Sequence, residues 1–367
     1  MIDSIINSGT ARSPTALYYS EYIGMLVALS RLLFFAFLLA AVVLPAQRLL
    51  AAPRPMSSAS GPVPPAPAIS VVNKIYLAPF DMYGPLNIIV DSGRNLAYAV
   101  VFYPNLLWVL DTSTGQLAYS LYTDGLLPTD VAVNPKSGLV YVTNKESTFV
   151  SVLDEDTKAW LTPINVGGPS QDIAIEVERN RAYVTTNGKT VLVLDLTNGS
   201  VLKTIHDRSF ITTNGVALDP RHSRAYVQNE GSSSISVINT ITNRVIKSVD
   251  TDHASNAVAV DPVAQQLFVA NTDGTLSVIN TVDDADTPVA TIDVSSAISA
   301  VVVHPALHRA YVTNLLVNTV SEIDTQQNVV IGTIPVGPDP EGIAVDLTTN
   351  LEYVASYYAD YVTVLGE

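Results

Sequence analysis

The 367-residue chain has no cysteine. That excludes disulfides, thiolate metal sites, iron–sulfur clusters, a cysteine nucleophile and a lipidated cysteine. Charge is also scarce. Only 14% of residues are Asp, Glu, Lys or Arg, and 19 basic side chains face 34 acidic ones, a net of −15. A chain so poor in basic groups is a weak match for a phosphate backbone, so nucleic acid is not expected as a partner. What it does have is apolar residues, 48% of the total, too many for a chain disordered throughout.

The first 70 residues differ from the rest. Their only charges are Asp3, Glu21, Arg12, Arg31, Arg48 and Arg54, a net of +2, so the remainder carries about −17. Residues 32–46 form an uncharged apolar run preceded by Arg31. Fifteen apolar residues after a basic one suit a signal-peptide core and are short for a membrane span. A longer span over 23–46 would enclose Arg31, at a cost of a few kcal/mol. The thirty residues ahead of the run are long for the basic leader of a signal peptide; translation from Met25 in place of Met1 is one explanation. Prolines 53, 55, 62, 64, 65 and 67 make 51–70 a semi-rigid spacer. The expected organisation is a signal or anchor region over 1–50, a linker over 51–70 and a folded body over 71–367. Location outside the cytoplasm follows from it, with membrane contact only through the N-terminal segment.

The body repeats. An aromatic column runs Tyr98, Tyr141, Tyr183, Tyr226, Phe268, Tyr311, Tyr353, at intervals alternating between 43 and 42. Seven residues before each lies a second column, Asp91, Asn134, Glu176, Asp219, Asp261, His304, Asp346. In the sixth unit, valine-, threonine- and tyrosine-rich stretches at 299–303, 310–313, 319–323 and 329–334 read as strands. Asx residues, prolines and glycines mark the turns between them. Seven units of about 42 residues with four strands each predict an all-β fold, a seven-bladed β-propeller of four-stranded antiparallel blades. Sheets covered on both faces account for the low charge and abundant valine. The seventh unit has room for only three strands before Glu367. Residues 71–77, just ahead of the first unit, are expected to supply the fourth and close the last blade. The ring is expected to be monomeric.

Tyr141-Val142-Thr143-Asn144 and Tyr311-Val312-Thr313-Asn314 are intact copies of the tetrad that names the YVTN family of β-propeller repeats, and Tyr226-Val227-Gln228-Asn229 and Phe268-Val269-Ala270-Asn271 are near copies. Over 71–367 the chain resembles that family. The resemblance implies an exported microbial scaffold or binding module, with a protein or glycan at the cell surface as partner.

Ligands of propellers gather at the channel mouth, which is built by the segments leading into the innermost strands and by the loops between second and third strands. The lead-in positions give Asn87, Asp130, Asp172, Asn214, Asn256 and Glu341 as candidate ligand-binding residues, with Thr129, Gln171 and Ser299 beside them. The loops add the tetrad asparagines Asn144, Asn229, Asn271 and Asn314, which serve equally as turn-closing repeat residues. No cofactor is expected, though the carboxylates could attract calcium, which prefers oxygen ligands. His206 and His253 near the mouth could join Asp130 or Asp172 at a transition metal, but no H-x-H or H-E-x-x-H spacing supports that. Gly168-Pro169-Ser170-Gln171-Asp172 lacks the closing glycine of a nucleophile elbow. No catalytic constellation emerges. An exported propeller enzyme (lactonase-like hydrolase, lyase or quinoprotein-like oxidoreductase) with a metal at the mouth is the alternative, by analogy of fold.

Overall fold

β-Branched and aromatic residues alternating in short runs build strands, and Asx–Pro and Gly steps end them. In a computed structural model that describes residues 69–77, 83–230, 232–251, 253–282, 288–294 and 296–367, this grammar yields seven antiparallel sheets arranged as a ring. Residues 1–68 lie outside the described part, and with them the hydrophobic run and nearly all of the linker. The sixth blade shows the pattern, with strands Ile298–His304, Arg309–Asn314, Thr319–Asp324 and Val329–Pro335 from channel to rim. In blade 2 the outer strand is split into Ala159–Trp160 and Ile164–Asn165. Pro163 between the two pieces cannot donate to the ladder.

The ring closes through its ends, as expected. Ser70–Tyr76 is the outer strand of blade 7, with Ser70 opposite Gly366 and Tyr76 opposite Tyr361. The strand begins one residue before the expected position, and Ile69 ahead of it is buried as well. Ile75 and Leu77, 1% and 4% exposed, join Trp108 and Val362 in one apolar cluster. Ser70 lies at the turn end of the blade, so the chain joins the ring on the face opposite the mouth. Gly84, in the link to blade 1, is required by close approach. A Cβ there would strike the carbonyl oxygens of Ser356 and Ala359.

The two sequence columns hold the ring together. The Asx column makes turns: Asp91 accepts from the backbone N–H of Gly93 at 3.0 Å, and Asp261 from those of Val263 and Ala264 at 2.8 and 2.9 Å. Each such turn ends in a left-handed residue, among them Asn95, Asn180, Ser223, His308 and Asn350, where asparagine and glycine are least strained. Side chains of these turns reach the following blade. Asn134 Nδ2 donates to Asn180 Oδ1 at 2.9 Å, and His304 and Asn350 meet at 3.0 Å. The aromatic column does the same from within. Tyr183 Oη donates to Asn243 Oδ1 of blade 4 at 2.7 Å, while Tyr98, Tyr311 and Tyr353 lie against Glu155, Glu352 and Thr112 of the blade that follows each. Burial pushes these hydroxyls well above the usual tyrosine range. Tyr183→Phe strands a buried acceptor on Asn243, and is expected to lower stability by about 1–2 kcal/mol in urea unfolding. An unchanged midpoint would show that the hydroxyl does not fasten the seam.

Candidate functional site

The tetrad positions the channel. Its third residue grips the backbone thirteen residues earlier, at or beside the lead-in position. Thr143 Oγ1 accepts from the N–H of Asp130 at 3.0 Å, Thr185 Oγ1 from Asp172 at 3.1 Å, and Thr313 Oγ1 from Ala300 at 2.8 Å. In blade 4, Gln228 Oε1 takes this role toward Gly215 at 3.0 Å. The lead-in side chains are thus presented to the axis by a repeated clamp.

The fourth residue does something else. Asn144, Asn229, Asn271 and Asn314 are at most 1% exposed. Their Nδ2 groups donate to Ser151, Ser236, Ser277 and Ser321 of the adjoining strand at 2.8–3.0 Å. They tie the loop to the sheet from inside the blade and do not face the mouth. Of the two roles open to them in sequence, the turn-closing one is the one they fill.

All six candidate residues, Asn87, Asp130, Asp172, Asn214, Asn256 and Glu341, line a central cavity of about 670 Å³, with Ser299 and Gln171. Together with Ser299 they form a collar of one residue per blade. Below them the walls are apolar, with Ile88, Val131, Ile173, Val216, Val258, Val301 and Ile343. Most collar residues reach the next blade. Asn87 Nδ2 donates to Asp130 Oδ1 at 2.6 Å. Asp130 Oδ2 accepts from the N–H of Ile173 at 2.9 Å, and Asp172 Oδ2 from that of Val216 at 3.3 Å. Asn256 Nδ2 donates to the carbonyl of Ile298 at 2.8 Å, and Ser299 Oγ to Glu341 Oε2. The Asn214 amide has no such partner among the described residues, and Asn256 is exposed to the channel.

Asp130 and Asp172 stand on adjacent blades as neighbouring carboxyls of the collar. Burial raises the proton affinity of both. For Asp172, held well above the usual carboxylate range, the charge of Asp130 adds to it. A carboxyl with raised affinity stabilises the fold below the ordinary carboxylate range, and that stabilisation is lost as pH rises through its folded value. Asp172→Asn keeps a donor toward Asp130 and an acceptor for Val216. It is expected to raise the melting temperature at pH 8 more than at pH 4, and an equal change at both would show that the proton affinity of Asp172 is not raised.

Histidines do not join this pair. His253 Nδ1 meets Asp273 Oδ2 at 2.7 Å, and His206 ends the exposed outer strand of blade 3. Among the described residues no three His, Asp or Glu side chains converge as a metal site. Trp108 is 1% exposed and belongs to the core. What sequence reading missed is the partnership across blades: a spacing of 42–44 residues separates each collar side chain from the group it holds, and the register of the columns is the signal that could have found it.

Fold and channel define a seven-bladed β-propeller with a polar collar above an apolar throat. Its relatives by sequence are the uncharacterized proteins YncE of Salmonella typhimurium, 25% identical over 192 residues, and of Escherichia coli K12, 23% identical over the same length. The match covers 51% of this chain and 54% of the relative, so the chain spans about half the length of the curated relatives it matches. By structure, a chain of Kuenenia stuttgartiensis hydrazine synthase superposes with a TM-score of 0.70 at 17% identity, covering 78% of this chain and 96% of that one. This likeness is one of fold. No family model matches the chain.

Proposed function

We propose that the protein is an extracytoplasmic binding or scaffold module of the YVTN type that acts through its channel mouth. The observation that carries this reading is the collar. Its amides on blades 4 and 5 face open cavity, while the turn-side polar groups are spent joining blades. A pocket of this size with a few convergent polar groups is the usual form of a ligand site. Export rests on the apolar run at 32–46 and the proline-rich spacer. The described chain enters the ring on the face opposite the mouth. The partner is a protein or glycan at the cell surface, and the acidic ring disfavours nucleic acid. A photo-crosslinking residue at Asn256, with one at Val289 on the rim of the same blade as control, tests this in the native cell envelope. Capture is expected at Asn256 alone. Equal capture at both positions, or none at Asn256, counts against the reading.

A second reading, an exported propeller enzyme of hydrolase, lyase or oxidoreductase type, draws on one observation. Asp130 and Asp172, whose proton affinity burial raises, face the cavity, and perturbed carboxyls gather at catalytic sites. A lactone- or ester-hydrolysing activity that vanishes in a folded Asp172→Asn variant, or stoichiometric calcium in the purified protein, would favour it.

A further inference from the structure

Beside the collar, where the ring closes, four tyrosines meet on the mouth face. Tyr83 leads into blade 1, Tyr103 lies in the second-to-third-strand loop of blade 1, and Tyr357 and Tyr358 lie in that loop of blade 7. Tyr83 stacks on Tyr357 with ring centroids 5.0 Å apart, and reaches Tyr358 at 6.2 Å and Tyr103 at 6.4 Å. Tyr357 is buried and backs the group, while Tyr358 is 55% exposed and Tyr83 and Tyr103 are half-buried. Tyr83 is anchored through its neighbour, since the N–H of Gly84 donates to the carbonyl of Tyr357. Four residues on from Tyr83 the chain reaches Asn87 in the collar.

We infer that this patch and the collar form one elongated subsite for a neutral saccharide chain; the inference rests on the channel-mouth reading above. Three features of chemistry converge. Rigid aromatic rings with polar tips offer flat contact area at little entropic cost. That matches the C–H face of a pyranose. The collar supplies amides and hydroxyls, from Asn87 four residues on from Tyr83 to Asn256, open to the channel on blade 5. A side-chain amide presents a donor and an acceptor side by side, and so pairs with vicinal hydroxyls. The mouth-side loops carry more acidic groups than basic ones, Asp124, Glu146, Glu230 and Asp273 against Lys145 and Lys189, a field that disfavours phosphorylated or uronic ligands and leaves uncharged ones unaffected. An apolar ligand would leave the Asn214 amide and the free edge of the Asn256 amide without water, at a cost of about 1–3 kcal/mol for each.

Isothermal titration of the full chain with cellohexaose, chitohexaose and maltohexaose, and with hexagalacturonate as the anionic counterpart, tests this. At least one neutral hexasaccharide is expected to bind and hexagalacturonate is not. Tyr358→Ala, an exposed change that leaves the melting temperature in place, is expected to weaken binding tenfold or more, with Tyr358→Trp restoring it. Asn256→Ala is expected to weaken the same ligand. Failure of all three neutral sugars at millimolar concentration overturns the proposal, even where crosslinking at Asn256 captures a protein and the channel-mouth reading stands. Binding that Tyr358→Ala leaves unchanged overturns it too, as does a preference for hexagalacturonate.

Discussion

A chain that begins after Leu77 will lose its cooperative melting transition and elute as aggregate, and a peptide spanning 69–77 added in trans will restore part of both. Ser70–Tyr76 fills the outer edge of blade 7. Without it the strand Tyr361–Gly366 presents unpaired backbone groups to solvent, a template for pairing with other chains. Ile69, Ile75 and Leu77 are each at most 5% exposed in the closed ring. Leaving three such side chains unburied forfeits roughly 5–9 kcal/mol at 1.5–3 kcal/mol each, comparable to the whole stability of many domains. A milder variant keeps the test informative. Ile75→Ala should preserve the fold while lowering its stability by about 2–5 kcal/mol. A truncated chain that melts at the wild-type temperature would show that the ring is held by its blade-to-blade seams alone.

Replacing Glu352 by Gln will stabilise the protein at neutral pH and flatten its dependence on pH. Glu352 is 1% exposed, on the second strand of blade 7 beside the Tyr311 hydroxyl. Burial pushes its carboxyl up from 4.5 to about 8, with the charge of nearby Glu322 adding to the rise. Because the folded value exceeds the unfolded one, the contribution is fully present below pH 4.5 and is lost as pH climbs through 8. At pH 7 the folded state must hold a proton that the unfolded chain has released, a penalty on the order of 3 kcal/mol. Glutamine carries no such penalty. The variant should therefore gain up to that amount at pH 7 and little at pH 4, as read from urea midpoints across the range. Equal pH slopes in the two proteins would refute the assignment. Arg309 Nε donates to Glu322 Oε1 at 3.2 Å and neutralises part of this nest. Glu322→Gln is accordingly the weaker change.

The seam that holds Glu352 shows what sequence could and could not deliver. Before the aromatic column runs a column of small or apolar residues, Ala97, Val140, Ala182, Ala225, Leu267 and Ala310, and Glu352 occupies the seventh place in it. The break in pattern is visible in the sequence. Its meaning is not, because the groups that surround the carboxyl, Tyr311 and Glu322, come from another blade. The same holds for the collar. Spacing alone identifies Asn87, Asp130, Asp172, Asn214, Asn256 and Glu341 as one ring. Only the folded chain shows that Asn87 holds Asp130 and that the charge of Asp130 raises the proton affinity of Asp172. The fold was readable because strand, turn and column repeat seven times and each copy corroborates the others. The aromatic patch was not, because Tyr83 and Tyr103 belong to no column and Tyr83 meets Tyr357 and Tyr358 only when the ring shuts.

That closure also orders events in time. Lys74 meets Tyr361, a residue 287 positions later in the chain. Among the described residues the earliest strand, Ser70–Tyr76, has no partner until Tyr361–Gly366 is made, an interval of roughly tens of seconds at ordinary rates of translation. For all of that interval blades 1 to 6 can assemble one on another, but the ring stays open. A contact of such long range sets a high entropic barrier for the final step. The seventh blade therefore completes itself last, only after Tyr361–Gly366 has been made, however much of the other six has already assembled.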